Sequence, residues 1–247
     1  MKKYAIVTGA SSGIGRAVSF ELLAMGYDVF GFGRDFAAWQ QETGCRECVT
    51  SYETPGFHPV VCDLLDTKQL MLCLDQILKT PDGELTVLVN NAGAAYYGLH
   101  EEMNPEKIME MVRVNLEVPM ILTQKLLRSL KKNHGAVINI SSVTAISSSP
   151  HGACYGATKA GLLSFSRSLF DEVRKYGVRV TAVLPDMTDT ALYRNADFEA
   201  DPQWDAHLNP EDVAGAVRYA LSVREGSCVP EIMIRPQLHR IHRKPRT

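Results

Sequence analysis

Residues 3–33 read KYAIVTGASSGIGRAVSFELLAMGYDVFGFG, and the succession of patterns in them decides the fold. Residues 3–8 are a short apolar run that ends in a glycine-rich turn. Ile14, Ala17, Val18, Leu22 and Met25 then recur at helical spacing. Gly26 stops that segment, and residues 28–33 read as a second strand. Strand, glycine turn, helix and strand in about 30 residues make a βαβ unit. Gly9, Gly13 and Gly15 let the backbone come close to a pyrophosphate at the start of the helix. Free N–H groups and the helix dipole attract anions there.

The same alternation continues outward from this unit. Residues 57–63 (FHPVVCD) read as a third strand ending in Asp63. An amphipathic helix over 66–79 follows, capped by Asp66 and stopped by Pro-Asp-Gly. Residues 85–90 (LTVLVN) are a fully apolar strand running into Asn90-Asn91-Ala92-Gly93. Asn104-Pro105-Glu106 starts a helix that is expected to reach about residue 131, kinked at Pro119. Asn115 sits inside it among apolar neighbours and needs partners if buried.

A fifth strand over 135–141 delivers Ser142, and a helix over 153–175 closes at Gly177. The sixth strand, 178–184, ends in Pro185-Asp186-Met187-Thr188-Asp189-Thr190. Residues 191–208 lack clean periodicity, so the span of about 186–208 reads as a lid over the sheet edge. A helix from Asn209 to about Ser222 and a strand over 229–235 complete the pattern. With no repeat and no linker, residues 1–247 read as a single α/β domain. Its expected architecture is Rossmann-type and doubly wound. A seven-stranded parallel sheet carries helices on both faces.

Composition narrows the function. The chain has 45% hydrophobic and 22% charged residues, as ordinary globular proteins do. A formal net charge of −2 gives no electrostatic case for nucleic acid or a membrane surface. No apolar run approaches the roughly 18 residues of a membrane span, and the start lacks the pattern of a signal peptide. Six scattered cysteines, with one CxxC at Cys45 and Cys48, lack the second pair a zinc site would want. No metal is expected. Free thiols suit a reducing cytoplasm.

The chemistry concentrates in residues 142–159, SVTAISSSPHGACYGATK. Tyr155 and Lys159 are four apart, so on a helix they share one face. A phenol titrates near 10, and bringing it to 7 needs about 4 kcal/mol of differential stabilisation, which a fixed ammonium could contribute. Ser142, at a strand end, can offer a neutral hydrogen bond to a substrate oxygen. Both Tyr and Lys are also common on helix surfaces, so the spacing alone leaves either reading open.

The assembled pattern resembles the short-chain dehydrogenase/reductase family across essentially the whole chain. Thr8-Gly9-x-x-x-Gly13-x-Gly15 looks like its cofactor turn, with Ser11, Ser12 and Ile14 inside it. Asp63 matches the acid that contacts the adenine end. Asn91, Ala92 and Gly93 match the strand-four motif. Asn115, Ser142, Tyr155 and Lys159 match the catalytic four, with gaps of 27, 13 and 4. Pro185, Thr188 and Thr190 match residues that contact the nicotinamide amide and phosphates.

The resemblance implies hydride transfer between a nicotinamide cofactor and an alcohol/carbonyl pair. In it Tyr155 is general acid/base. Lys159 holds the nicotinamide ribose and lowers the tyrosine pKa. Ser142 hydrogen-bonds the reacting oxygen, and Asn115 positions a water leading protons from Lys159 to solvent.

Cofactor choice turns on the end of the second strand. NAD-preferring members carry an acid there for the ribose 2′-hydroxyl. Here Gly33 is followed by Arg34, whose guanidinium suits a 2′-phosphate. Asp35 is expected to point away, and Arg16 to be a solvated helix residue. The expectation is NADP(H), with NAD(H) possible. Where the family usually has Pro-Gly after strand six, this chain has Pro185-Asp186. Either the backbone there has a positive φ that aspartate tolerates, the favoured reading, or the carboxylate sits near the nicotinamide or substrate.

Met187, Tyr193, Phe198 and Trp204 are candidates for an apolar substrate wall, as are Tyr96 and Tyr97, or they simply pack the lid. His151 lines the substrate site or is a surface histidine. The basic tail reads as a solvated or subunit-contacting end. The partners expected are a small carbonyl or alcohol substrate and further copies of the chain in a homodimer or homotetramer. Two alternatives remain at this stage: an NAD-linked hydroxysteroid or sugar-alcohol dehydrogenase, and a dinucleotide-binding regulator without chemistry.

Overall fold

The βαβ unit forms where the glycine turn places it. In the structure, a computed structural model that describes residues 2–37, 39, 56–79 and 83–244, strand β1 is Lys2–Thr8, helix α1 is Gly13–Ala24 and strand β2 is Asp28–Gly33. Strand β3, Phe57–Val61, and helix α2, Thr67–Ile77, come next. The Asp66 carboxylate caps α2 as expected, accepting from the N–H groups of Lys68 and Gln69. Strands β4, Gly83–Asn90, and β5, Ala136–Ile140, flank helices α3, Pro105–Val112, and α4, Val118–Lys132. Helix α5 is Ala153–Val173 and strand β6 is Arg179–Pro185. Strand β7, Phe198–Ala200, helix α6, Pro210–Ser222, and strands β8, Glu231–Ile234, and β9, Ile241–Arg243, complete the order. Cys45, Cys48 and the Pro81-Asp82 turn lie outside the described residues.

Seven strands make one parallel sheet in the order β3-β2-β1-β4-β5-β6-β8. The order reverses between β1 and β4, so the carboxyl ends of these two strands border a crevice where ligands bind in open sheets. Alternate residues of β1 feed opposite faces. Ala5 and Val7 pack with Val18, Leu22 and Val217 from α1 and α6. Tyr4 and Ile6 pack on the other face with Leu70, Leu122 and Leu126 from α2 and α4. Each fully buried Leu or Ile contributes about 1.5–3 kcal/mol. Helices therefore cover both faces, and both cores fix the crevice from behind.

Two sequence expectations change. The helix expected over 104–131 is interrupted, because Arg113–Glu117 forms a π-helical turn between α3 and α4. Pro119 has no N–H to give the carbonyl of Asn115, and the irregularity falls just before the proline. The positive φ expected at Asp186 is absent: among the described non-glycine residues only His134 and His151 have one.

The described part of the tail is mostly exposed, and it also folds back on the chain. Strand β9 pairs antiparallel with β7 over Phe198↔Arg243, Glu199↔His242 and Ala200↔Ile241. Three-residue strands are too short to show a period, which hid this ribbon. The lid it braces begins with the 3-10 turn Ala191–Asn195 and returns to the sheet edge through a bridge between Thr188 and Leu208.

Candidate active site

The floor of the crevice is built by two turns tied together. Thr8 Oγ1 accepts from the N–H groups of Asn91 and Ala92, both at 3.0 Å. Asn91 Nδ2 donates to the Thr8 carbonyl at 2.8 Å. The Asn91 side chain is therefore a brace between β1 and β4. Gly9 has φ 66°, a backbone region that side chains disfavour. A Cβ on Gly15 would lie 2.1 Å from the Gly9 carbonyl oxygen, so the turn closes only on glycine. Ser12 caps α1 without a side-chain bond to the helix and lines the groove.

A groove of about 250 Å³ runs over this floor. Gly9, Ser11, Ser12, Gly13 and Ile14 line it from the first turn. Arg34 and Asp63 line it from the ends of β2 and β3. Asn91, Ala92 and Gly93 line it from the β4 turn, and Pro185, Thr188 and Thr190 from the β6 turn. Ser142, Tyr155 and Lys159 line it too. Gly15 packs behind the turn and Asn115 lies behind the wall. Arg34 is exposed, and no carboxylate pairs with it among the described residues. Asp35 instead accepts from the Ala37 N–H at 2.8 Å, turned into its own loop. Arg16 is not in the lining.

Ser142, Tyr155 and Lys159 are all buried. Lys159 Nζ donates to the Ile140 carbonyl at 2.8 Å and sits 5.7 Å from the centre of the Tyr155 ring. Burial lowers the Lys159 pKa to about 8. The Tyr155 pKa is raised, chiefly by burial and then by Tyr193, while the Ser142 hydroxyl pulls it back. The lowering expected from Lys159 is absent: burial of the phenol dominates, and the one group that pulls its pKa down is Ser142. As built, Tyr155 holds its proton.

Asn115 is fully buried and its side chain is fully engaged. Its Oδ1 accepts from the Ala94 N–H at 2.8 Å, while Nδ2 donates to the Ala94 carbonyl at 2.8 Å and to Thr158 Oγ1 at 3.0 Å. This amide fastens the loop after β4 to α5 and the π-helical turn. Gly93 faces both Asn115 Oδ1 and Lys159 Nζ, at 3.4 and 3.8 Å from where a Cβ would stand.

On the lid side, Tyr97 lies 6.0 Å from Tyr155, 6.2 Å from Tyr193 and 4.9 Å from Phe198, ring centre to ring centre. Tyr193 is pushed up to about 12 by burial, the Thr188 N–H pulls it back and Asp186 raises it further. The Tyr97 phenol is also raised, first by burial. Of the suggested wall, Trp204 is 82% exposed and faces outward. Tyr96 turns to α3, donating to Glu110 at 2.7 Å. His151 is exposed and, with Cys154, borders a separate cavity beside Met103.

Asp186 lines the groove with its side chain 11% exposed. Oδ1 accepts from the Met187 N–H at 2.8 Å, and Oδ2 lies 3.8 Å from Arg235 Nε and 3.9 Å from His239 Nδ1. Sequence reasoning missed Leu192 and Arg194 in the lining. It also missed a buried chain of amides and hydroxyls. Asn90 Nδ2 donates to Asn139 at 2.7 Å and Asn139 Nδ2 to Ser166 at 2.8 Å. Its signal was a polar residue in the middle of the apolar run GAVINIS.

Known proteins share the family pattern and the fold of this chain. The chain matches the family model for short chain dehydrogenases over residues 3–200. It is 32% identical over 239 residues to an uncharacterized oxidoreductase of Staphylococcus epidermidis, covering 95% of this chain and 97% of that one. It is 34% identical over 193 residues to the 3-oxoacyl-[acyl-carrier-protein] reductase FabG of Escherichia coli, covering 78% of this chain and 76% of that one. The structure superposes with a TM-score of 0.83 on an alcohol dehydrogenase from Thermococcus sibiricus complexed with 5-hydroxy-NADP. That match is at 27% identity and covers 97% and 99% of the two chains.

Proposed function

The chain belongs to the short-chain dehydrogenase/reductase family, and from that premise we propose that it is an NADP(H)-dependent oxidoreductase of small alcohols and carbonyl compounds. The observation that carries the reading is the meeting of Ser142, Tyr155 and Lys159 in one groove to which the end of β2 brings Arg34 and no carboxylate. The residues fit a dinucleotide. A Cβ on Gly13 would stand 3.2 Å from the Thr190 side chain, so the first turn and the β6 turn approach closely where Gly13 has no side chain. The Ser12 hydroxyl and the start of α1 suit phosphate oxygens, and the Arg34 guanidinium suits a 2′-phosphate.

When bound, the nicotinamide supplies or takes the hydride. Tyr155, protonated by its burial, gives its proton to the carbonyl oxygen in the reductive direction. Ser142 at the end of β5 donates to the same oxygen as charge develops on it. Lys159, pinned by the Ile140 carbonyl, presents its remaining N–H bonds to the groove. Asn115 acts through position, holding the Ala94 loop against α5. A regulator without chemistry has no use for a lysine whose burial lowers its pKa to about 8 beside a buried phenol. That asymmetry favours the enzyme.

Residues 1–247 are read as one domain. Met109, Val112 and Met120 are exposed apolar residues on α3 and α4, which supports pairing of copies into a dimer or tetramer along these helices. Among the described residues no helix is long and apolar enough to cross a membrane. The described cysteines, Cys62, Cys73, Cys154 and Cys228, are free, in keeping with a reducing cytoplasm.

The test is a panel of ketones, aldehydes and 3-oxoacyl thioesters assayed by consumption of NADPH and, separately, NADH. The reading expects turnover of at least one class with kcat/KM higher for NADPH. A preference for NADH contradicts the cofactor assignment, and binding of NADPH with no turnover of any class contradicts the enzyme.

A further inference from the structure

The last described residues stitch the lid shut from outside. Besides the β7–β9 pairing, the Leu238 N–H donates to the Asp205 carbonyl at 2.8 Å and the Lys244 N–H to that of Asp197 at 2.9 Å. Lys244 Nζ then donates to three carbonyls: Tyr193 at 2.8 Å, Ala196 at 3.1 Å and Arg194 at 3.5 Å. These carbonyls belong to the end of the 191–195 turn, where helical carbonyls lose their partners and a cation is favoured. The ammonium thus caps a turn about 50 residues upstream of it.

That turn carries Arg194 into the groove lining. The exposed guanidinium has one bond, to the carbonyl of Ala191 in its own turn, at 3.1 Å. No carboxylate pairs with it among the described residues. The charges of Arg194 and Arg34 both reach the Tyr96 phenol. One cation comes from the β2 end and one from the lid, so both face the same space. A groove with backbone N–H groups on its floor and a guanidinium on each side suits a ligand carrying phosphate at two places.

We propose that the carboxy-terminal segment is a working part of the lid: Lys244 is a positioning residue that holds the 191–195 turn so that Arg194 meets the pyrophosphate of the bound dinucleotide. This contact is separate from that of Arg34 with the 2′-phosphate, and it rests on the dinucleotide reading of the groove. Because NADPH and NADH share the pyrophosphate, the two arginines have different signatures.

The experiment measures Kd for NADPH and NADH by fluorescence titration of the full-length protein and its Lys244→Met, Lys244→Arg, Arg194→Met and double variants. Hydrogen exchange at the amides of 191–200 is followed without cofactor. Lys244→Met and Arg194→Met are each expected to weaken both cofactors about five-fold, as loss of one exposed charge contact does. The double variant is expected to be no weaker than Arg194→Met, and Lys244→Arg to retain most of the affinity. Faster exchange is expected in Lys244→Met but not in Arg194→Met.

Unchanged exchange in Lys244→Met overturns the clamp. Affinity unchanged in Arg194→Met, or weakened for NADPH alone, overturns the pyrophosphate contact. If the unmodified protein binds neither dinucleotide, the groove reading and the Arg194 contact both fall, while exchange still decides the clamp.

Discussion

The two walls of the groove are built on different principles. The scaffold wall, from β1, β4, β5 and α5, presents groups whose positions are fixed by buried bonds: Thr8 to the β4 turn, Asn115 to Ala94 and Thr158, Lys159 to Ile140. The lid wall, from the β6 turn to Leu208, is held mainly by surface ties: the bridge at Leu208, a three-residue ribbon, the Leu238 and Lys244 N–H groups and the Lys244 ammonium. Catalysis needs reacting groups placed within a fraction of an ångström, and the residues proposed to react lie on the wall backed by both cores. Arg194 and Tyr193 sit on the other wall, outside both cores. Local opening of such weakly tied segments costs far less than global unfolding.

Substitutions can break this contrast. The largest effect is expected at Gly15. Its replacement by alanine forces a Cβ to within 2.1 Å of a backbone oxygen that cannot yield cheaply. Both the melting temperature and NADPH binding should drop together. A Gly15→Ala protein that binds NADPH normally would show the scaffold wall to be pliant.

Arg34 stands at the rim, exposed and outside both cores. Arg34→Leu is expected to leave the melting temperature unchanged and to weaken NADPH by about 10- to 100-fold, the range of one charged hydrogen bond, with NADH little affected. Equal weakening of both cofactors would move Arg34 off the 2′-phosphate.

A smaller effect is expected from pH. Lys159 is charged below its pKa of about 8 and neutral above it. If its charge is needed, the reductive rate should fall as pH rises through that value, by about ten-fold between pH 7 and 9. A pH-independent rate over that window would remove the ammonium from the chemistry.

The scaffold wall was legible in the sequence and the lid wall was not, for one physical reason. Gly9, Gly13 and Gly15 follow an apolar run and precede a helical period, so position and pattern reinforce each other. Tyr155 and Lys159 inherit their meeting from the helical repeat. In contrast, Arg194 reaches the groove from a five-residue 3-10 turn, and Lys244 reaches that turn through a pairing of two three-residue strands. Neither has a period to read.

Asp186, in place of the family's usual glycine, was read either as a positive-φ position, the favoured reading, or as a carboxylate near the nicotinamide or substrate. The structure has an ordinary φ there and a carboxylate in the lining, facing Arg235 and His239. Asn115 was singled out by its apolar neighbours and its match to the family's catalytic four, but spacing could not show that both ends of its amide hold Ala94.

The central claim is that Tyr155 is the proton donor of a hydride-transfer site built on the scaffold wall. It is tested most directly by Tyr155→Phe, with NADPH affinity and turnover of the best carbonyl substrate measured on the same preparation. The account predicts that kcat falls by at least about 100-fold, the contribution of general acid–base catalysis, while NADPH binds within about two-fold of the unmodified protein. Turnover near normal in that variant, with the fold intact, would contradict it.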